Sequence, residues 1–392
     1  MLFRSNVAIT PTLECITDSS LVPAPCSASP TGDNVIQVVQ TSNVPTFFIR
    51  GLALFGVHSA SSIPISAMAT ATMLSGKNTQ VNVAMVVDTT ASMGSQDSDV
   101  NCNNTRIHCA LNGVQTLLGQ LTPCTASSTQ TNCTGFDQVS LFTFPNVTAN
   151  TASNDTTCPS NNPTIVPYST PTPGATWTPP SSSSTSATYQ ITNYLSNYSS
   201  NNQKGGALNS SSSLAIATGG GSRNCSGMQT PGGDGTYYAG VIYSAQSSLI
   251  AAQAANPGSQ NIMIILSDGD ANSTKISNAQ HSGNVYGSLD DQCQQAITAA
   301  QYATTAGTTV YSVAYGASSS GCSTDKSGPL AGLSPCAAMQ QMASSSSDFF
   351  SDATASQNKG QCGSSNSFSL DAIFTNIAAK FTNARLIPNN VS

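Results

Sequence analysis

The stretch that decides the fold is Val81-Asn82-Val83-Ala84-Met85-Val86-Val87-Asp88-Thr89-Thr90-Ala91-Ser92-Met93-Gly94. Its first half is almost entirely apolar and rich in Val, which is typical of a central parallel strand buried on both faces. Asp88, Thr90 and Ser92 then present oxygen atoms at alternate positions, where an open α/β sheet binds its ligands. One carboxylate and two hydroxyls suit a hard cation such as Mg²⁺. An alternative is that Asp88 and Ser92 only cap the following helix.

Two later stretches favour the metal site over the cap. Gly232-Gly233-Asp234-Gly235-Thr236 opens an apolar-periodic segment, and Asn261-Ile262-Met263-Ile264-Ile265-Leu266-Ser267-Asp268-Gly269-Asp270 is a second apolar strand that ends in acid. With the first stretch they resemble the metal-ion-dependent adhesion site of von Willebrand factor A domains, whose pattern is D-x-[ST]-x-S, a distant Thr, and an Asp after a hydrophobic strand. The resemblance implies that Mg²⁺, or else Mn²⁺ or Ca²⁺, is bound by Asp88, Thr90, Ser92, Thr236 and Asp268.

Two further acids, Asp234 and Asp270, lie beside these stretches. Either they also touch the metal, or they are turn residues, which is the interpretation we favour because Asp is common in turns.

The composition argues against nucleic-acid binding and against catalysis. Of the 392 residues only 7% are charged, and the net charge of -6 provides no basic patch for nucleic acid. No G-x-x-x-x-G-K-[ST] or G-x-S-x-G motif occurs, Glu14 is the only glutamate, and no His adjoins the acidic cluster in sequence to serve as a general base. We therefore expect a binding protein that is not an enzyme. The alternatives are a metal-assisted hydrolase and a passive, disulfide-stapled surface protein.

Twelve cysteines, an even number, are scattered singly along the chain. Because they form no C-x-x-C pair and no cluster with the histidines, disulfides in an oxidising compartment are favoured over zinc. Sequence does not determine their connectivity, and the local candidates are Cys124 with Cys133, Cys158 with Cys225, and Cys336 with Cys362.

Strand and helix patterns alternate from residue 81 onward, which predicts a doubly wound, mostly parallel sheet flanked by helices. We expect a domain over residues 81–390, preceded by a small β-rich region over residues 6–80 in which Asn34–Gln40 and an alternating run from Ile63 to Met73 are strands. A Ser/Thr/Asn/Pro-rich insertion spans about residues 145–213, where only Tyr189, Ile191, Tyr194 and Leu195 suggest a strand. An insertion of this length is either functional or a spacer, and it should emerge on the metal-bearing rim.

A second resemblance narrows the expected role. Val44-Pro45-Thr46-Phe47-Phe48, followed by an alternating Ser/Ala/Thr strand, is similar to TadG-like proteins of bacterial tight-adherence (Flp) pilus assembly, as is the closing run from Phe374 to Pro388. That family begins with one membrane-spanning helix, which this sequence lacks, so we expect a longer, membrane-anchored protein located in the periplasm or on the cell surface. The resemblance implies a protein partner, an envelope or pilus component, that offers an Asp or Glu carboxylate to the metal.

Overall fold

The structure is a computed structural model that describes residues 7–14, 35–45, 62–72, 80–97, 102–124, 136–147, 156–157, 188–201, 204–221, 225–230, 235–276, 288–317, 321–326, 330–352, 362, 369–382 and 385–387. The chain divides into two compact units, one formed by Met1–Thr79 with Thr382–Ser392 and the other by Gln80–Phe381. In the part of the chain that the structure describes, no helix is both long and apolar enough to cross a bilayer.

The smaller unit is a four-stranded antiparallel sheet. Its strands, in the order in which they pair, are β1 (Val7–Glu14), β2 (Val35–Pro45), β3 (Ser62–Thr72) and β12 (Arg385–Ile387). The larger domain is expected to extend to residue 390, but Arg385 pairs with Thr72 of β3, so β12 belongs to the smaller unit.

The larger unit contains a six-stranded sheet with helices on both faces. Its strand order is β11-β10-β9-β4-β5-β7, and every neighbouring pair is parallel except β5 with β7. The predicted fold class is therefore confirmed. The elements are β4 (Val81–Asp88), α1 (Arg106–Gln120), β5 (Gln138–Val147), β6 (Thr156–Thr157), β7 (Thr188–Gln190), α2 (Ser213–Ala217), β8 (Gly227–Met228), α3 (Tyr238–Ala255), β9 (Gln260–Ser267), α4 (Gln292–Thr305), β10 (Thr309–Ala314), α5 (Pro335–Met342), β11 (Phe349–Ser351) and α6 (Leu370–Thr382).

β4 forms the centre of this sheet because its side chains contribute to both hydrophobic cores. Val83, Met85 and Val87 pack in the core on the side of α1 and α6, and Ala84 and Val86 pack in the core on the side of α3 and α4. A strand covered on both faces needs apolar residues at every position, which explains the near-continuous run seen in the sequence. β5 and β9 lie on opposite sides of β4, so the chain changes direction there, and ligand sites of open α/β sheets form at such points.

Part of the predicted insertion belongs to the folded core. β7 pairs with β5 at the edge of the large sheet, and Leu195 bridges Val139. Ile191 and Tyr198 are fully buried, and the Tyr198 hydroxyl donates to Asp137 O at 3.3 Å. The strand suggested by Tyr189 and Ile191 is thus present, and the chain after it is packed although most of its residues are polar.

The described cysteines are all in disulfides. Cys336 pairs with Cys362, one of the local candidates, and the other pairs seen are Cys102–Cys109 and Cys293–Cys322. Cys124 and Cys225 are also disulfide-bonded. The pairings predicted for them involve Cys133 and Cys158, which lie outside the described residues.

Candidate metal centre

Three loops meet at one edge of the larger sheet. β4 and β9 are parallel neighbours with Val87 beside Leu266, so Asp88, the last residue of β4, and Asp268, which follows β9, lie at the same edge. The loop before α3 joins them because Thr236 forms a parallel bridge with Ala271, just beyond β9. The three stretches singled out in the sequence are therefore neighbours in space.

Asp88 is a fully buried carboxylate whose two oxygens are both engaged. Oδ1 accepts from Thr90 N at 2.8 Å, and Oδ2 accepts from Ser267 Oγ. The pKa of Asp88 is raised to about 7, chiefly by burial and to a smaller extent by the nearby charge of Asp268, and its hydrogen bonds act in the opposite direction. A carboxylate in this environment is stabilised by a nearby cation.

A chain of hydroxyls connects the β4 loop with Asp268. Thr90 Oγ1 lies 3.0 Å from Ser92 Oγ, which donates to Asp268 Oδ1 at 2.8 Å. Thr90 and Asp268 are buried, whereas Ser92 is exposed in the short 3-10 turn that follows β4. Four of the five predicted ligands thus belong to one hydrogen-bonded network that reaches the surface at Ser92.

Thr236 lies beside this network, next to Gly269. A Cβ atom built on Gly269 would lie 2.9 Å from Thr236 Oγ1 and 3.5 Å from Asp88 Oδ2. Both oxygens therefore line one small cradle that any side chain at position 269 would fill. The five residues predicted from the sequence are all brought together.

Sequence reasoning missed the residues that hold this set in place. Ser267, the donor to Asp88, lies 2.7 Å from the hydroxyl of Tyr238, which in turn donates to Gly269 O at 2.7 Å. Ser267 stands inside the quoted β9 stretch, but nothing in its spacing distinguishes a buried donor from a strand-end residue. Tyr238 looked like one more apolar position of α3.

Arg106 was also missed. Its Nη1 donates to Asp268 Oδ2, forming an ion pair in which the Asp268 side chain is 1% exposed and the Arg106 side chain 28% exposed. Arg106 is the first residue of α1, where a cation is unfavourable next to the positive end of the helix dipole. An arginine at that position, in a chain with only 11 lysines and arginines, is a signal that it has a carboxylate partner.

Of the two further acids, Asp234 and Asp270, the structure describes only Asp270. Asp270 Oδ1 accepts from Cys322 N, and its Oδ2 accepts from Ser323 Oγ at 3.2 Å. Asp270 therefore organises the adjacent loop, which agrees with its interpretation as a turn residue. Asp234 lies outside the described residues.

The donor set fits a hard divalent cation. It consists of oxygens alone, from two carboxylates and three hydroxyls, and Mg²⁺ and Ca²⁺ take oxygen ligands. Two features of this structure favour an ion between these residues: the cradle above Gly269 and the buried carboxylate of Asp88. Asp88, Thr90, Ser92, Thr236 and Asp268 are the residues that could hold it.

The neighbours of Thr236 line a small surface pocket beside this edge of the sheet. Two tyrosine side chains and one lysine contribute to it, and the pocket adjoins the end of β5. Its lining residues are Pro145, Asn146, Tyr189, Gly235, Tyr237, Ser273 and Lys275.

No family model matches the chain, and no curated protein matches it. Among solved structures it is similar to the pilus adhesin SpaC from Lactobacillus rhamnosus GG in its open conformation, with 14% identity and a TM-score of 0.42, covering 96% of this chain and 34% of SpaC. A second structure of SpaC gives a TM-score of 0.41 at the same identity and coverage. The chain spans about a third of the length of SpaC, and a likeness at this identity and a TM-score below 0.5 assigns no function.

Proposed function

We propose that this protein is a metal-dependent binding module of the bacterial cell envelope, in which a divalent cation at the sheet edge captures a carboxylate of a protein partner. The observation that carries the proposal is the convergence of Asp88, Thr90, Ser92, Thr236 and Asp268 from three separate loops. The resemblance to the metal-ion-dependent adhesion site of von Willebrand factor A domains rests on these same residues.

Some of the chain's residues would bind the ion, and others would leave it accessible to a partner. Asp88 and Asp268 supply the negative charge from buried positions, and the three hydroxyls supply neutral oxygens without adding charge. When bound, Mg²⁺ or Mn²⁺ offers a hard Lewis acid that accepts one more carboxylate oxygen. Ser92 is exposed, so the network opens to solvent where a partner can approach.

The partner would also contact the rim of the site. Tyr237 and Lys275 line the pocket next to Thr236, and a partner whose Asp or Glu reaches the metal could place a neighbouring side chain there. The TadG resemblance suggests an envelope or pilus protein as this partner, in Flp pilus assembly or in surface adhesion, with membrane attachment through an N-terminal anchor. No nucleic acid is expected, because the chain carries a net charge of -6.

An extracytoplasmic location is supported by the cysteines. Cys102–Cys109, Cys293–Cys322 and Cys336–Cys362 are disulfides, and disulfides persist in the periplasm or at the cell surface rather than in the cytosol. Bridges alone would also suit a passive surface protein. The cluster of two buried carboxylates and three hydroxyls favours a binding module, because burying a carboxylate costs free energy even when it is hydrogen-bonded, and such groups concentrate at functional sites.

Calorimetric titration of the full chain with Mg²⁺ tests the metal site. Wild type should bind one ion, and Asp88→Asn and Asp268→Asn should each reduce the affinity at least tenfold. Asp137→Asn is the matched control. Asp137 is also a buried carboxylate, but it accepts a hydrogen bond from Val81 N, at the other end of β4. Unchanged Mg²⁺ affinity in Asp88→Asn would refute the assignment.

Retention of a partner from envelope extract tests the binding role. Immobilised protein should retain a protein in Mg²⁺ and release it with chelator, and Asp268→Ala should retain none. A metal-assisted hydrolase would instead turn over a substrate. Retention that is indifferent to chelator would mean that the binding surface lies elsewhere.

A further inference from the structure

Asp268 is shared between the predicted metal ligands and a cation that the protein itself supplies. Ser92 Oγ donates to Oδ1, and the guanidinium of Arg106 donates to Oδ2. The carboxylate is buried, so its charge is not shielded by water. Any ion bound by Asp88 and Asp268 would therefore share Asp268 with a fixed positive charge.

The position of Arg106 is built into the fold. A Cβ atom on Gly316 would lie 2.8 Å from Arg106 Cζ and 2.9 Å from its Nε, so a side chain at 316 would displace the guanidinium from this position. The backbone of Arg106 is also tied down, because its N–H donates to Ser95 O at 2.9 Å and the Cys102–Cys109 disulfide joins α1 to the preceding turn. Gly316 N in turn donates to Asp352 at 2.9 Å.

We propose that Arg106 is a specificity-determining residue of the metal centre: its charge competes with the divalent ion for Asp268, which keeps metal affinity low and leaves the loaded site positively charged. The inference rests on the proposed function and deepens it. Counted over the two carboxylate ligands, one divalent ion and the guanidinium, the net charge is +1 rather than zero; Asp352, whose pKa burial raises and the charge of Arg106 lowers, accepts from Gly316 N and is not among the ligands. A positive site attracts an anionic group, so a partner carboxylate would be preferred over a neutral oxygen.

Repulsion rather than orientation decides the effect of Arg106 on metal affinity. Residues that hydrogen-bond to metal ligands usually strengthen a metal site by orienting those ligands. Here Asp268 is already oriented by Ser92 and by its place after β9, so removing Arg106 leaves its direction in place. Two positive charges on the same buried carboxylate, by contrast, repel each other in a medium of low dielectric constant, and we expect the resulting loss of affinity to be roughly tenfold.

The test compares Mg²⁺ affinities by calorimetry in wild type, Arg106→Gln and Arg106→Lys. Arg106→Gln should bind Mg²⁺ about tenfold more tightly, because it removes the charge and retains a donor. Arg106→Lys keeps the charge and should stay close to wild type. Lys380→Gln is the control: Lys380 pairs with Asp348 and is 31% exposed, close to the 28% of Arg106, but belongs to α6 and should leave the affinity unchanged.

The outcomes separate this inference from the function on which it rests. If wild type binds Mg²⁺ and Arg106→Gln binds it equally or more weakly, Arg106 is a supporting residue and the inference is overturned while the metal site stands. If wild type binds no Mg²⁺, both fall. If circular dichroism shows that Arg106→Gln does not fold, Arg106→Lys is the deciding variant. A tenfold higher Mg²⁺ affinity of Arg106→Lys, which retains the charge, would contradict the proposal, and an unchanged Mg²⁺ affinity would support it.

Discussion

Asp88 combines complete burial with a partner for each oxygen, and its pKa is nevertheless raised to about 7 by burial and by the charge of Asp268. Two hydrogen bonds do not replace the water that such a carboxylate loses. The unfavourable free energy is localised at the end of β4, where Thr90 and Ser267 keep both oxygens in fixed directions. At the residue scale, the end of β4 thus carries a buried carboxylate that a nearby positive charge would stabilise.

Gly269 tests whether Thr236 belongs to the centre. Gly269→Ala would place a methyl group 2.9 Å from Thr236 Oγ1, so the hydroxyl must move away and Mg²⁺ affinity should fall about tenfold. Gly119→Ala is the matched control, because its Cβ would meet nothing within 4 Å. Calorimetry measures both, and equal affinities in the two variants would remove Thr236 from the ligand set.

Asp137 predicts a pH dependence of stability that is separate from the metal. Burial raises its pKa to about 6, while hydrogen bonds from Thr122 N and Val81 N oppose the shift. In the unfolded state the pKa has its ordinary value of 3.8. Between about pH 4 and pH 6 the folded state therefore retains a proton that the unfolded state releases. The stabilisation is complete below about pH 4 and is lost as the pH rises through 6, by an amount on the order of 3 kcal/mol.

Urea unfolding of wild type and Asp137→Asn between pH 4 and pH 7 measures this contribution. As the pH rises from 4 to 7, the unfolding free energy of wild type should fall relative to that of Asp137→Asn. Asp88 and Asp352 also have raised pKa values, but they titrate in both proteins and cancel in the difference. A difference that stays constant with pH would show that Asp137 has an ordinary pKa.

At the scale of elements, the segment from β7 to α2 closes one edge of the sheet. β7 pairs antiparallel with β5, and Tyr198 and Ile191 enter the core below it. Few residues of this segment are apolar, so its burial depends on a small number of large side chains. Backbone hydrogen bonds also tie the segment to the sheet and to the chain before it, as in the bonds of Leu195 N to Val139 O and Cys124 N to Ser196 O.

Tyr198→Ala should therefore destabilise the protein by about 3–5 kcal/mol, the range for truncating a large buried aromatic side chain. Tyr302→Ala, at a position that is 38% exposed, provides the comparison and should cost much less. Urea unfolding gives both values. Similar small losses in the two variants would mean that this segment is an ornament rather than part of the core.

At the scale of the whole molecule, the chain has few charges and depends on covalent links. Only 7% of its residues are charged, so surface ion pairs contribute little to its stability. The bridges Cys293–Cys322 and Cys336–Cys362 have sequence separations of 29 and 26 residues, and each restricts the unfolded chain. Stability should thus depend strongly on the redox state.

Thiol titration of the denatured protein after periplasmic expression tests this dependence. We expect few of the twelve cysteines to react, and we expect reduction to lower the unfolding free energy by about 2–5 kcal/mol for each bridge lost. A cytoplasmic preparation is the comparison and should show more reactive thiols. Most cysteines reacting in the periplasmic preparation would contradict an oxidising location.

The sequence by itself determined the fold class and which five residues are the candidate metal ligands. The run Val81–Val87 is apolar at every position except Asn82, which is typical of a strand covered on both faces, and Asp88 and Asp268 then lie where two such strands end. Periodicity is a local property, which is why these elements can be recognised from neighbouring residues alone.

The tertiary structure alone decided which side chains support that set. Ser267 is 179 residues from Asp88, and Arg106 is 162 residues from Asp268, so no local pattern relates the partners. Gly316 makes room for the guanidinium only because the end of β10 passes beside the start of α1. Such pairs are fixed by the packing of the whole sheet, and the charge of the centre follows from them.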